Sequence, residues 1–315
     1  MTTPSGGMDR ATPSGTRSRA TIRAMMNGAV DYAGLFPPAA LSMAETVHRY
    51  AAYAASPESW MLGRLIVPVA RLEEFVAAYF ALATAASDGD TDVAAAAPWR
   101  LSVIAKASDA AALAAFNARY GARTRIDTVE APTVSAADIP ALGALATSYM
   151  VFAEVSVVED PGPIVALLAQ HKVRAKVRTG GVTPSAIPTA ANVARFVVAC
   201  RDAKVPFKAT AGLHHAIRAD YALTYEPASE RATMFGFVNV LLASAAAAMA
   251  ASVSEVEKIL AATDGFVIDG TGALLPTGRL MQAVDVAMAR TSGIASFGSC
   301  SFDEPVAELT QRGLL

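Results

Sequence analysis

The chain has 315 residues, 53% of them hydrophobic and 17% charged, with a formal net charge of −2. That balance excludes a disordered tail protein and a basic nucleic-acid binder, and the length fits two ordinary domains or one large α/β barrel. Of the 26 cations only six are lysines, so each lysine carries more information than usual.

Residues 1–18 are rich in Ser, Thr, Gly and Pro and lack the apolar core of a secretory signal. They read as a flexible lead-in to one domain over residues 19–315. From Ala29 onward a β-branched run, a polar or Gly/Pro break and an Ala-rich helical stretch recur. The spacing predicts strands at residues 29–32, 64–68, 101–106, 125–130, 150–157, 173–178 and 206–210. An eighth falls at 266–269 or 294–298. The second is preferred, because Asp303 and Pro305 then open a terminal helix as N-cap and early-turn proline. Eight βα units predict an α/β fold, a single (β/α)8 TIM barrel. Residues 216–293 exceed one ordinary connection and predict an extended helical excursion between strands seven and eight, with a small hairpin at 266–275 packed over the barrel. The apolar run 235–251 owes its hydropathy to alanine and contains Asn239 and Ser244, so it reads as a buried helix and not a membrane span.

In such a barrel the chemistry sits at the C-terminal ends of the strands, and alternate side chains point inward. With Ala175 and Val177 outward, Lys176 faces the axis; with Phe207 and Ala209 outward, Lys208 does the same. Lys106 ends strand three on the parity opposite to Val103 and Ala105. Two inward ammonium groups repel and burial disfavours both charges, which favours a neutral amine able to attack a carbonyl carbon. Proton transfer then needs a carboxylate, and Asp127 on strand four and Glu154 on strand five are the candidates.

These residues bring a family to view. Val30-Asp31-Tyr32, Leu65-Ile66-Val67-Pro68, Ile126-Asp127-Thr128-Val129 and Val151-Phe152-Ala153-Glu154 are similar, in order, to strands one, two, four and five of the deoxyribose-phosphate aldolase group of class I aldolases. Ala175-Lys176-Val177-Arg178-Thr179-Gly180 resembles that group's Lys-Thr-Ser-Thr-Gly stretch, and Phe207-Lys208-Ala209-Thr210-Ala211-Gly212 its Phe-Lys-x-x-Gly-Gly strand. Phe297-Gly298-Ser299-Cys300-Ser301 is similar to its phosphate-binding turn. The resemblance implies that Lys176 forms the Schiff base, that Lys208 lowers its pKa and that Asp127 relays protons. It departs at Ala211, where the family has glycine, and at Leu213-His214-His215. Asp31, Lys106, Gly212, His214, His215, Ser299 and Ser301 are the expected substrate-binding residues, an anionic end resting on the turn before the last helix.

The expected activity is therefore that of a cytoplasmic aldehyde-lyase, an aldolase of carbohydrate metabolism. Its partner is a small carbonyl or sugar-like substrate, phosphorylated or not. Neither cofactor nor metal, nucleic acid nor membrane is expected, and a homo-oligomer stays open. Competing readings are a metal-dependent lyase or isomerase using Glu154 and Asp127 with His214 or His215, and a non-catalytic barrel scaffold. Cys300 has no histidine at an informative distance in sequence, and its small neighbours fit a turn. Cys200 and Cys300, without CxxC spacing, predict no disulfide framework and a reducing compartment.

Overall fold

In the computed structural model, which describes residues 19–87 and 98–315, the β-branched runs pair in parallel around a closed ring. The expected lead-in at 1–18 lies outside the described residues. Helix α1 (Ala20–Met26) precedes β1 (Val30–Tyr32), and strand and helix then alternate. The units are α2 (Met43–Ala54), β2 (Leu62–Pro68), α3 (Leu72–Ser87), β3 (Trp99–Ile104), α4 (Ala110–Tyr120), β4 (Thr124–Thr133) and α5 (Ile139–Leu145). They continue with β5 (Met150–Glu154), α6 (Gly162–Gln170), β6 (Arg174–Arg178), α7 (Ala190–Asp202) and β7 (Phe207–Thr210). Ser42 and Thr189 cap α2 and α7 by accepting the amides of Glu45 and Asn192.

The excursion contains a hairpin, β8 (Ala219–Ala222) and β9 (Arg231–Met234), then α8 (Phe237–Ala248) and α9 (Val253–Ala261). A small antiparallel sheet of β10 (Val267–Ile268), β11 (Gly272–Leu274) and β12 (Leu280–Gln282) follows, then α10 (Ala283–Ser292). Strand β13 (Ile294–Ser299) closes the barrel between β7 and β1, and α11 (Asp303–Gln311) ends the chain. The order around the ring is β1, β13, β7, β6, β5, β4, β3, β2, all parallel, which is the (β/α)8 TIM barrel. The preferred eighth strand is the one that closes it.

Helix α8 is buried on every side from Phe237 to Ala247, among α7, α9, α10 and β13. Its two polar residues are fastenings. The Asn239 amide donates to the carbonyls of Ile259 and Ala262 and its Oδ1 accepts the amide of Arg218, while Ser244 Oγ accepts the amide of Ile294. No helix among the described residues is long and apolar enough to cross a membrane.

Two expectations need correction. The 266–275 hairpin forms but gains a third strand, and this sheet packs against α1 and α10. The segment that reaches the mouth is the loop of the unanticipated β8–β9 hairpin, which brings Tyr225 Oη to 3.6 Å from Cys300 Sγ. Asp303 does not cap α11 either. It is the first helical residue, and its carboxylate accepts the Tyr53 hydroxyl at 2.7 Å, while Ser301 Oγ accepts the Glu304 amide.

Candidate active site

Lys208 is fully buried, and its Nζ lies 2.7 Å from Asp31 Oδ2 and 2.6 Å from Glu130 Oε1. Neither β1 nor β4 neighbours β7 in the ring, so both contacts cross the barrel interior. Lys176 sits opposite Lys208 in the β6–β7 register and opposite Glu154 in the β5–β6 register. Its Nζ is 3.4 Å from Glu130 Oε2 and 3.1 Å from Glu154 Oε2. Glu130 thus stands between the two lysines, one oxygen to each, and also accepts the Ser102 hydroxyl at 2.7 Å. Asp31 is held from three sides, since it further accepts the Ser296 hydroxyl and the Arg64 amide.

Lys208, Glu130 and Glu154 are each held toward the charged form. Burial opposes the Lys208 charge, but Asp31 and Glu130 outweigh it and raise the lysine above its ordinary value. Burial likewise opposes the Glu130 charge, and Lys208 and Lys176 still hold its carboxyl down at about 2. Glu154 is lowered against its burial by Lys176 and by Arg178, whose Nε is 3.1 Å from its Oε1. The expected repulsion between two bare ammonium groups is therefore corrected, because a carboxylate bridges them.

Above this layer, at the C-terminal ends of the strands, lies a cavity of about 310 Å³. Lys176 and Glu130 line it together with Ile66, Ile104, Phe36 and Val182, and Arg178, Thr210, His214 and Cys300 add to its polar lining. Gly212 also lines it, at φ +76°, where an added Cβ would meet Gly180 Cα at 3.0 Å. Ala211, which stands where the resembled family has glycine, is itself left-handed at φ +63°.

His214 is nine-tenths buried, with Nδ1 3.2 Å from Glu304 Oε2, 3.5 Å from Ser299 Oγ and 3.6 Å from Cys300 Sγ. Burial works against its charge, yet Cys300 and Glu304 raise its pKa to about 9. The fold thus supplies the histidine beside Cys300 that spacing along the chain does not reveal. His215 turns away, stacking on Tyr221 at 3.5 Å with Nδ1 2.9 Å from Glu308. Among the described residues no group of three or more His, Cys, Asp and Glu side chains is placed to hold a metal ion.

No protein-family model, no curated protein and no solved structure matches the chain. The cavity itself must carry the functional reading.

Of the expected site residues, Lys176, Lys208, Glu154 and Asp31 meet in one charged layer, and Gly212 and His214 line the cavity above it. Ser299 lies buried behind His214, and Ser301 serves α11. Beyond these two serines, which lie outside the cavity lining, three more expectations are not met. Asp127 does not approach the lysines; it is clamped by Arg64 at 2.5 Å and Arg100 at 2.7 Å. Lys106 falls two residues beyond the end of β3 and is exposed outside the cavity lining. His215 belongs to the α11 contact. The residue that sequence reasoning missed is Glu130. Its signal was its place at the C-terminal end of predicted strand four, where barrel chemistry sits.

Proposed function

We propose that this chain is a class I aldolase, an aldehyde-lyase that works through a Schiff base on Lys176 and takes a small carbonyl or sugar-like substrate. The observation that carries the reading is one lysine amine on the lining of a small cavity, backed by a second buried lysine and sharing a carboxylate with it. Surface lysines have no reason to adopt this arrangement, and the resemblance to the deoxyribose-phosphate aldolase group falls on the same two residues.

Lys176 Nζ attacks the substrate carbonyl carbon after passing its proton to Glu154, 3.1 Å away. The carbonyl oxygen leaves as water and an iminium forms. In the cleavage direction a carboxylate takes the proton of the β-hydroxyl, the C–C bond breaks, and its electron pair moves into the iminium to give an enamine. An aldehyde departs. The enamine then takes a proton at carbon, and water releases the second carbonyl product and the free amine. Glu130, with Lys208 behind it, is the proton-relay group, a role better suited to its position than to that of Asp127.

The test is borohydride reduction of the purified protein with small aldehydes and ketones, followed by mass mapping. A reduced adduct on Lys176, absent in Lys176→Met, is the expected result. Full retention of any lyase activity in Lys176→Met would overturn the Schiff-base reading.

A further inference from the structure

The charges around the cavity cancel. Lys176, Lys208, Arg178 and His214 face Asp31, Glu130, Glu154 and Glu304, four against four, and each cation has a carboxylate within 3.2 Å. The charge of each of these cations is already matched by a carboxylate, so an anionic substrate would tip the balance negative. Arg178, the cation with the most exposed side chain of the four, turns Nε and Nη2 to Glu154 at 3.1 and 3.4 Å, and His214 turns Nδ1 to Glu304 at 3.2 Å.

The turn before α11, where the resembled family places phosphate, is equally spoken for. Ser301 Oγ takes the Glu304 amide, and the first two helical side chains are the carboxylates of Asp303 and Glu304. Anions gain from a helix N-terminus only when its amides are free and its side chains are not themselves anionic. A phosphate dianion placed here would bring two uncompensated negative charges into a site walled by Phe36, Ile66, Ile104 and Val182. Lys106 offers no remedy, being exposed and outside the lining. His214 Nε2, with Cys300 Sγ at 4.0 Å, can hydrogen-bond a neutral hydroxyl or carbonyl oxygen.

We infer that the substrate is an uncharged small carbonyl compound, a hydroxyaldehyde or hydroxyketone without phosphate or carboxylate. This rests on the Lys176 reading and narrows it. Reaction classes that consume or supply such a compound without phosphorylating it then flank this step.

The experiment is competitive borohydride trapping on the full chain with paired probes, glyceraldehyde against glyceraldehyde 3-phosphate and glycolaldehyde against its phosphate. Adducts are quantified at Lys176 relative to Lys172, Lys204 and Lys258. The expected result is at least a tenfold preference for the neutral member at Lys176 and none at the other lysines. Glu304→Gln should shrink that preference several-fold by unbalancing the charge count. Equal or greater labelling of Lys176 by the phosphorylated member would overturn the inference while leaving the Schiff base intact. A preference unchanged in Glu304→Gln would overturn its electrostatic cause. Absence of any Lys176 adduct with all four probes would overturn the aldolase reading and this inference with it.

Discussion

Glu130 has two oxygens and serves two lysines. Its Oε1 takes Lys208 and Ser102, and its Oε2 faces Lys176 across 3.4 Å, the longest contact in the layer. A carboxylate so arranged can pass a proton between Lys176 and a bound substrate without moving. Asp127, with both oxygens committed to guanidinium groups, cannot. Glu130→Gln keeps the volume and removes the charge, and should lower turnover about 10²- to 10⁴-fold. Asp127→Asn should leave turnover within about twofold and instead cost about 2 kcal/mol in urea unfolding, because it strips the largely buried Arg64 of its partner. Steady-state rates and denaturation curves of the two variants decide the matter, and a turnover collapse in Asp127→Asn would restore the assignment carried over from the resemblance.

Strand β4 explains why those two carboxylates have different partners. Asp127 and Glu130, three residues apart, would point to opposite faces of an unbroken strand. In the β3–β4 register Leu101 pairs with Ile126 but Ser102 pairs with Thr128, so Asp127 is an extra residue in a bulge. The bulge lets Asp127 meet Arg64 and Arg100 while Glu130 reaches the lysines. Period-two alternation made Lys176 and Lys208 legible in the sequence, since β6 and β7 run in unbroken register there. A bulge leaves no trace in that alternation, so alternation could not have set Glu130 against Asp127, the residue the resemblance assigned. The pairing of His214 with Cys300 was equally hidden, because the fold alone joins residues 86 positions apart. In the excursion, Asn239 was legible as a polar interruption of an apolar run but not as a clamp. Asn239→Leu removes three hydrogen bonds and strands two buried carbonyls and an amide. The expected loss is about 3 kcal/mol in chemical denaturation, and a loss below about 1 kcal/mol would mean that α8 is held by its apolar faces alone.

A barrel with opposite charges packed along its axis depends on pH as a whole molecule, and the two limbs of that dependence have different owners. Glu130 is depressed from 4.5 to about 2 in the folded protein, so its contribution is complete above 4.5 and is lost as pH falls from there through about 2. Glu154 and Asp127, also depressed, add to the same acid limb. His214 moves the other way, from 6.5 to about 9, so its contribution is complete below 6.5 and drains as pH rises through about 9. Stability should therefore form a plateau from about pH 5 to 6.5 and fall on both sides, with the alkaline loss on the order of 3 kcal/mol. Thermal melts from pH 3 to 10 measure the profile, and the variants apportion it. His214→Gln should flatten the segment between 6.5 and 9 and trim the acid limb only by the share of Glu304, whose carboxyl His214 holds below its ordinary value, leaving the larger axial share of Glu130 in place. Glu130→Gln should do the converse. An undiminished slope between 6.5 and 9 in His214→Gln would show that the imidazole is not held protonated by Cys300 and Glu304, and would remove one of the four positive charges from the balance around the cavity.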